Sequence, residues 1–244
     1  MAIDHVELTE VCTAAFTAAV STAGALERPV PSCPGWTVAD AVAHLGAVQA
    51  WWTLVLRCGG DMPATAEATA LRTPGPDLLD WWRTRSTDFL ATLRATPPDT
   101  PAWCWWNADR LDRAAAVAWR QAQEAVVHLW DVRNAVGAPT TIDADVAADG
   151  VLEFGTRMLP AKGWDGPAGA LRLHAVDVDR TWTFAQDGDV PRLVDDPGRP
   201  AAATISGTAQ QLDLLLWRRV ELRGLDVAGD PALATAFLAW PSLG

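Results

Sequence analysis

The sequence predicts an α+β chain built as two domains, an N-terminal four-helix bundle over residues 1–140 and a small α+β domain over residues 141–244. Three observations carry this. Before residue 140, four apolar segments repeat at helical spacing and similar length, separated by stretches rich in proline and glycine. From residue 141 the texture changes, and alternating segments appear beside short amphipathic ones, the pattern of strands and helices segregated in one layer arrangement. The length of 244 residues is enough for two modest cores.

Residues 4–25 set Val6, Val11, Ala15, Ala18 and Ala19 near helical spacing, and Gly24 closes this first helix. His5 falls at its frayed start, where a solvated side chain is the expectation. The segment PVPSCPGW, 29–36, holds three prolines and a glycine, which exclude regular structure and demand a defined turn. Thr37 then reads as an N-cap with Asp40 completing a capping box, so a second helix is predicted over 38–57, stopped by Gly59 and Gly60. Residues 61–76 read as a loop. Leu78, Leu79, Trp82, Phe89, Leu90 and Leu93 give a third helix over 77–95. Residues 96–112 break the pattern and read as a long loop carrying Trp103, Trp105 and Trp106, which could cover one end of the bundle or wall a pocket. A fourth helix is predicted over 113–136, ending at Gly137 ahead of Pro139.

In the second domain a helix is expected over 145–158. LRLHAVDV, 171–178, alternates and is followed by 181–185, which predicts a hairpin with His174 as a structural strand residue. AAATIS, 201–206, reads as a further strand, GTAQQLDLLLWRRV as an amphipathic helix and DPALATAFLAW as a last helix.

Composition narrows the function classes. The net charge of -11 with a single lysine, Lys162, opposes binding to a nucleic-acid backbone or an anionic membrane. Asp4, Glu7 and Glu10 stand where an export signal needs positive charge, and the most apolar run, 41–56, is too short to span a bilayer. A cytoplasmic, soluble protein is the expectation. Cys12, Cys33, Cys58 and Cys104 include no C-x-x-C pair, so buried free thiols are predicted rather than a zinc knuckle or a redox motif. Fourteen tryptophans with no tyrosine, several in doublets, should serve mostly as packing.

The chemistry-bearing residues lie in EAVVHLWD, 124–131. Glu124 and His128 are four apart and project from one helical face, so a carboxylate oxygen and an imidazole nitrogen converge. Such a pair suits zinc or a similar divalent ion but needs a third ligand, for which His44 in TVADAVAHLGAV is the natural candidate. Taken alone, the spacing is a weak signal, because most i,i+4 pairs on helices are surface hydrogen bonds, and without the Glu124 and His128 pair His44 reads as a core histidine bonded within the bundle. Asp40, at i-4 from His44, and Asp131, at i+3 from His128, are placed to orient the two rings. Arg120 and Arg133 are expected about 100° or more off the Glu124 and His128 face.

PSCPGWTVADAVAHLGAV, EAVVHLWDVRNAVG and ISGTAQQLDLLLWRR followed by GDPAL together resemble the mycothiol-dependent maleylpyruvate isomerase family, over nearly the whole chain. The resemblance implies a DinB-like four-helix bundle that holds a divalent metal, usually zinc, and a C-terminal domain similar to sterol carrier proteins. It implies His44, Glu124 and His128 as the metal ligands and mycothiol as a thiol cosubstrate. The implied activity is cis–trans isomerisation of maleylpyruvate to fumarylpyruvate, or thiol S-transfer to a small electrophilic metabolite, with Arg218, Arg219 and Arg223 as candidates for holding the anionic substrate. Two other readings compete: a thiol-independent metal hydrolase, and a non-catalytic binding or regulatory module whose metal only braces the bundle.

Overall fold

Asp4 opens the first element, its carboxylate accepting from the backbone N–H groups of Val6 and Glu7 and so filling donors that a new helix leaves unpaired. In the computed structural model, which describes residues 3–196 and 198–242, the chain divides into two units, Met1–Thr140 and Thr141–Gly244. Each has its own architecture.

The first unit holds helices α1 (His5–Val20), α2 (Val38–Cys58), α3 (Thr65–Arg72), α4 (Leu78–Ala95) and α5 (Ala114–Ala135), with a two-stranded hairpin of β1 (Pro101–Trp103) and β2 (Leu111–Arg113) before α5. Helices α1 and α2 each pack against both α4 and α5, which closes the four long helices into a bundle. Two apolar layers fill it. Phe16, Val38, Val42, Leu45, Trp82 and Val132 make one, and Trp52, Val55, Phe89, Val117 and Ala118 the other. Trp52 and Val55 of α2 thus meet Val117 and Ala118 of α5, whereas His44 meets residues 124 and 128, so these two helices run antiparallel.

α2 starts where the Thr37 capping box was expected: the Thr37 hydroxyl accepts from the Asp40 backbone N–H, and the Asp40 carboxylate accepts from the Thr37 N–H. It stops at Gly59, whose φ of 62° is left-handed. Gly46 lets α2 approach α4, since a Cβ there would lie 2.3 Å from the Trp81 ring. The first helix ends at Val20, five residues before the expected end, as Ser21 caps it and turns lead to Gly24.

Both segments read as loops contain regular structure. Pro63 and Pro74 bracket α3 rather than dissolve it, because every residue of TAEATALR between them except Thr65 and Thr69 is a good helix former. Residues 101–113 form the hairpin, with Trp103 opposite Leu111. Its tryptophans staple it to α2: Trp103 lies 5.7 Å from Trp51, Trp105 5.2 Å and Trp106 5.7 Å from Trp52. Trp106 also donates to Asp112 at 2.6 Å.

In the second unit, α6 (Ala144–Arg157), α7 (Ala209–Leu216) and α8 (Pro231–Ala239) accompany a five-stranded sheet. Its strands are β3 (Leu171–Ala175), β4 (Arg180–Asp187), β5 (Val190–Val194), β6 (Ala203–Gly207) and β7 (Asp226–Gly229), in the order β5-β4-β3-β6-β7. Only β3 and β6 pair in parallel; the other neighbours are antiparallel. Leu171, Leu173 and Ala175 alternate inward from β3, and Phe184 of β4 meets Phe237 of α8 at 4.9 Å. Gly155 seats α6 against the sheet, where a Cβ would come within 2.8 Å of Phe184. Both strands absent from the sequence reading are edges: β5 carries Pro191, which an edge tolerates, and β7 is four residues long. The α+β class is as expected. Among the described residues no helix is long and apolar enough to cross a membrane.

Candidate metal centre

His44, on α2, and Glu124 and His128, on α5, meet across one helix–helix interface, and a ligating atom of each lies within 4.8 Å of the others. Glu124 Oε1 is the common point, 3.0 Å from His44 Nε2 and 3.4 Å from His128 Nε2. With metal–ligand bonds of about 2.1 Å, neighbouring vertices of a tetrahedron stand about 3.4 Å apart. The spacing therefore fits one small cation among three donors. Side-chain exposure falls from 36% at His44 to 11% at Glu124 and 6% at His128, so the group opens to solvent on the His44 side.

The second nitrogen of His128 fixes what the first can do. Nδ1 stands 3.0 Å from Asp131 Oδ2, and a carboxylate only accepts, so Nδ1 carries the proton. Nε2 then presents its lone pair towards another acceptor, Glu124 Oε1. Two acceptors facing each other inside a protein repel unless a cation, or a further proton, sits between them. An imidazole held by a carboxylate on one nitrogen with the other aimed at a shared site is the arrangement that supports a bound metal, and two nitrogens with one oxygen form a donor set suited to zinc-like ions. The residues fit the group.

Asp131 is fully buried and is held in turn by the 29–36 loop. Ser32 Oγ donates to Oδ1 at 2.5 Å, and Cys33 Sγ lies 3.5 Å from Oδ2. The loop's own shape comes from backbone hydrogen bonds, Val30 N–H to Trp36 O, Cys33 N–H to Val30 O and Trp36 N–H to Cys33 O, with Gly35 at a φ of 84°. This conformation brings Trp36 over the histidines, its ring 5.1 Å from that of His44 and 6.2 Å from that of His128, nearly parallel to the latter at 11°. PSCPGW thus does two jobs, orienting Asp131 and walling the site. The prolines and glycine foretold a fixed turn; which side chains it would deliver depends on tertiary contacts no local pattern reveals.

Asp40 does not share the role found for Asp131. Its carboxylate takes the Thr37 N–H and hydroxyl, both at 2.7 Å, and these bonds hold its pKa below the usual carboxylate range, the backbone N–H contributing most. Arg120 also departs from expectation. It is buried, and its Nη2 pairs with Glu124 Oε2. Four residues at 3.6 per turn separate the two by only about 40° around the helix, and an Arg–Glu pair at i,i+4 was the signal that could have revealed it.

The arginines of the second unit are engaged differently. Arg218, with a φ of 58°, donates to the backbone carbonyls of Leu238, Ala239 and Pro241, so it ties down the end of α8. Arg219 donates to Trp217 O. Arg223 is exposed and pairs with Glu221 at 2.6 Å. His174 lies on β3, 3.7 Å from the exposed Asp179. The cysteines are free, with Cys12, Cys33 and Cys104 buried. Burial raises the Cys12 thiol to about 11 and raises that of Cys104 as well, so neither is a thiolate at neutral pH.

Comparison with known proteins follows the same division. The family model described as the mycothiol maleylpyruvate isomerase N-terminal domain matches residues 9–133, and the corresponding C-terminal domain model matches 145–236. No curated protein matches the chain by sequence. Among solved structures, the mycothiol-dependent maleylpyruvate isomerase matches with a TM-score of 0.64 and 16% identity, over 98% of this chain and 95% of that one. A histidine-to-alanine mutant of a mycothiol-dependent maleylpyruvate isomerase matches with a TM-score of 0.66 and 15% identity, over the same shares of each chain. These structural likenesses establish the fold, and the two domain models, spanning most of the sequence, establish more: the chain belongs to the mycothiol-dependent maleylpyruvate isomerase family.

Proposed function

We propose that this chain is a metal-dependent isomerase that uses mycothiol to convert a small conjugated cis-diacid, maleylpyruvate or a close relative, into its trans isomer. The observation that carries the reading is the convergence of His44 Nε2, Glu124 Oε1 and His128 Nε2 on one point, with His128 Nδ1 fixed by Asp131. These three residues would hold a divalent ion, zinc by the character of the donors. Bound there, such an ion supplies Lewis acidity, lowering the pKa of an incoming thiol and polarising a carbonyl.

In the reaction proposed, the thiolate sulfur adds to one alkene carbon of the substrate, and the displaced electron pair is taken up by the conjugated carbonyl as an enolate. The former double bond now rotates freely. Return of the electron pair re-forms the double bond in the trans geometry and expels the thiolate, so thiol and protons balance without net consumption. His44, the most exposed of the three donors, marks the side on which the thiol enters. The Trp36 ring lies against both imidazoles and walls one face of the site. The buried Cys12 and Cys104 thiols are poor nucleophiles, which fits a reaction that brings its own sulfur. Dependence on a reduced thiol, with free cysteines in the chain, suits the cytoplasm.

The substrate's carboxylates call for a cation that can grip them in a fork. Arg219 and Arg223 are the proposed partners, with Arg218 reserved for the carbonyls at the end of α8. Loss of a charged hydrogen bond to substrate costs roughly 2 to 5 kcal/mol. Arg219→Ala or Arg223→Ala should accordingly raise KM or lower kcat/KM while zinc content stays at that of the parent; unchanged kinetics in both would remove them from the site.

The decisive experiment is a panel of unsaturated cis-diacids assayed with zinc-loaded protein, with and without mycothiol. Turnover that requires the thiol, and that disappears in His44→Ala, Glu124→Ala and His128→Ala together with the metal, is the expected result. Thiol-independent hydrolysis, or full metal occupancy in all three variants, would overturn the proposal.

A further inference from the structure

Glu124 has two carboxylate oxygens, and the structure divides them. Oε1 faces both histidines, 3.0 Å from His44 Nε2 and 3.4 Å from His128 Nε2, whereas Oε2 is taken by the Arg120 guanidinium. Arg120 is itself 3% exposed, on the same helix one turn earlier, and buried between helices where its side chain has little freedom to leave. A guanidinium binds carboxylate oxygen strongly and cannot lose its charge, so Oε2 is already engaged when a cation arrives at Oε1. Carboxylates otherwise bind divalent ions through one oxygen or two. A second bond from Glu124 would fill the position an incoming thiol needs.

We infer that Arg120 is a positioning residue that makes Glu124 a one-oxygen ligand and thereby keeps a coordination position open for the thiol. The inference rests on the metal reading above and goes beyond it, since three ligands alone do not say how many bonds they make. Charge supports the same role. Two neutral imidazoles and one carboxylate carry a single negative charge, which Arg120 offsets, so a divalent ion placed there keeps its full pull on an anionic sulfur.

The test uses the full chain, stripped and reloaded with zinc or with cobalt as a spectroscopic substitute. In Arg120→Met, Oε2 is released. One metal per chain is still expected, but the cobalt absorption should weaken towards that of a higher coordination number, and mycothiol affinity, read by titration of the cobalt band, should drop on the order of tenfold or more. Cobalt spectra and thiol affinity unchanged from the parent would overturn the inference. Should the variant fail to fold, a crystal structure of the zinc-loaded parent decides the same question: Oε1 alone at a bonding distance of about 2.0–2.2 Å, with Oε2 on Arg120, supports it, and both oxygens on zinc refute it. A parent chain that takes up no zinc at all would instead sink the metal reading, so the two failures are distinguishable.

Discussion

At the scale of single residues, the site is a chain of dependencies in which each side chain is set by the next. His128 is aimed by Asp131, Asp131 by Ser32 and Cys33, and those two by a loop whose backbone bonds to itself. A ring that must be pinned by tertiary contacts loses affinity for its ligand when the pin is removed, by about 10 to 100-fold for a metal. Asp131→Ala should fall in that range in a zinc competition titration, and Ser32→Ala, which leaves Asp131 in place with one donor fewer, should lose less. Equal affinities in parent and both variants would mean that the loop packs against the site without orienting it. Of these residues, Glu124, His128 and Asp131 were legible because helical periodicity fixes which face each occupies. Ser32, Cys33 and Trp36 were not: Ser32 and Cys33 reach Asp131 from 99 and 98 positions away in sequence, and nothing in PSCPGW says what it will touch.

At the scale of elements, helix starts were read best and short edge pieces worst, for a physical reason. The α2 cap depends on two residues three apart, Thr37 and Asp40, whose hydrogen bonds are closed locally. By contrast β5 and β7 are stabilised by the neighbours they pair with, and their own sequences, one with a proline and one with a glycine, argue against strands. The same cap gives a pH dependence whose sign follows from Asp40. Its folded pKa is depressed by the Thr37 N–H and hydroxyl, so its stabilising effect is fully present above the ordinary carboxylate value of about 3.9 and is lost as pH falls through the lower folded value. Thr37→Ala should cost about 1 kcal/mol at neutral pH. Asp40→Asn should flatten the part of the acid-stability curve below about pH 4 and leave the curve above pH 6 parallel to the parent's. A parent and variant that differ by a constant offset down to the lowest pH would show that the cap bonds do not select the ionised carboxylate.

At the scale of the whole molecule, two separate antiparallel helices supply the candidate ligands, so a bound cation would cross-link α2 and α5 as well as serve chemistry. Within α5, His128 Nε2 is set against Glu124 Oε1, and this is the contact that a cation would relieve. Binding to the folded state alone stabilises it by an amount set by concentration over Kd, about 2.7 kcal/mol at a hundredfold excess. Thermal denaturation should therefore move up when zinc is added to stripped parent protein and return on chelation. The ligand variants separate this from nonspecific binding to the chain's many surface carboxylates. Glu124→Gln keeps the shape of the site but removes its only anionic donor, and His128→Ala removes a nitrogen, so neither should show the zinc-dependent rise. If both variants respond to zinc as the parent does, the ion binds elsewhere, and the contact between His44, Glu124 and His128 is a hydrogen-bonded link between helices rather than a metal centre.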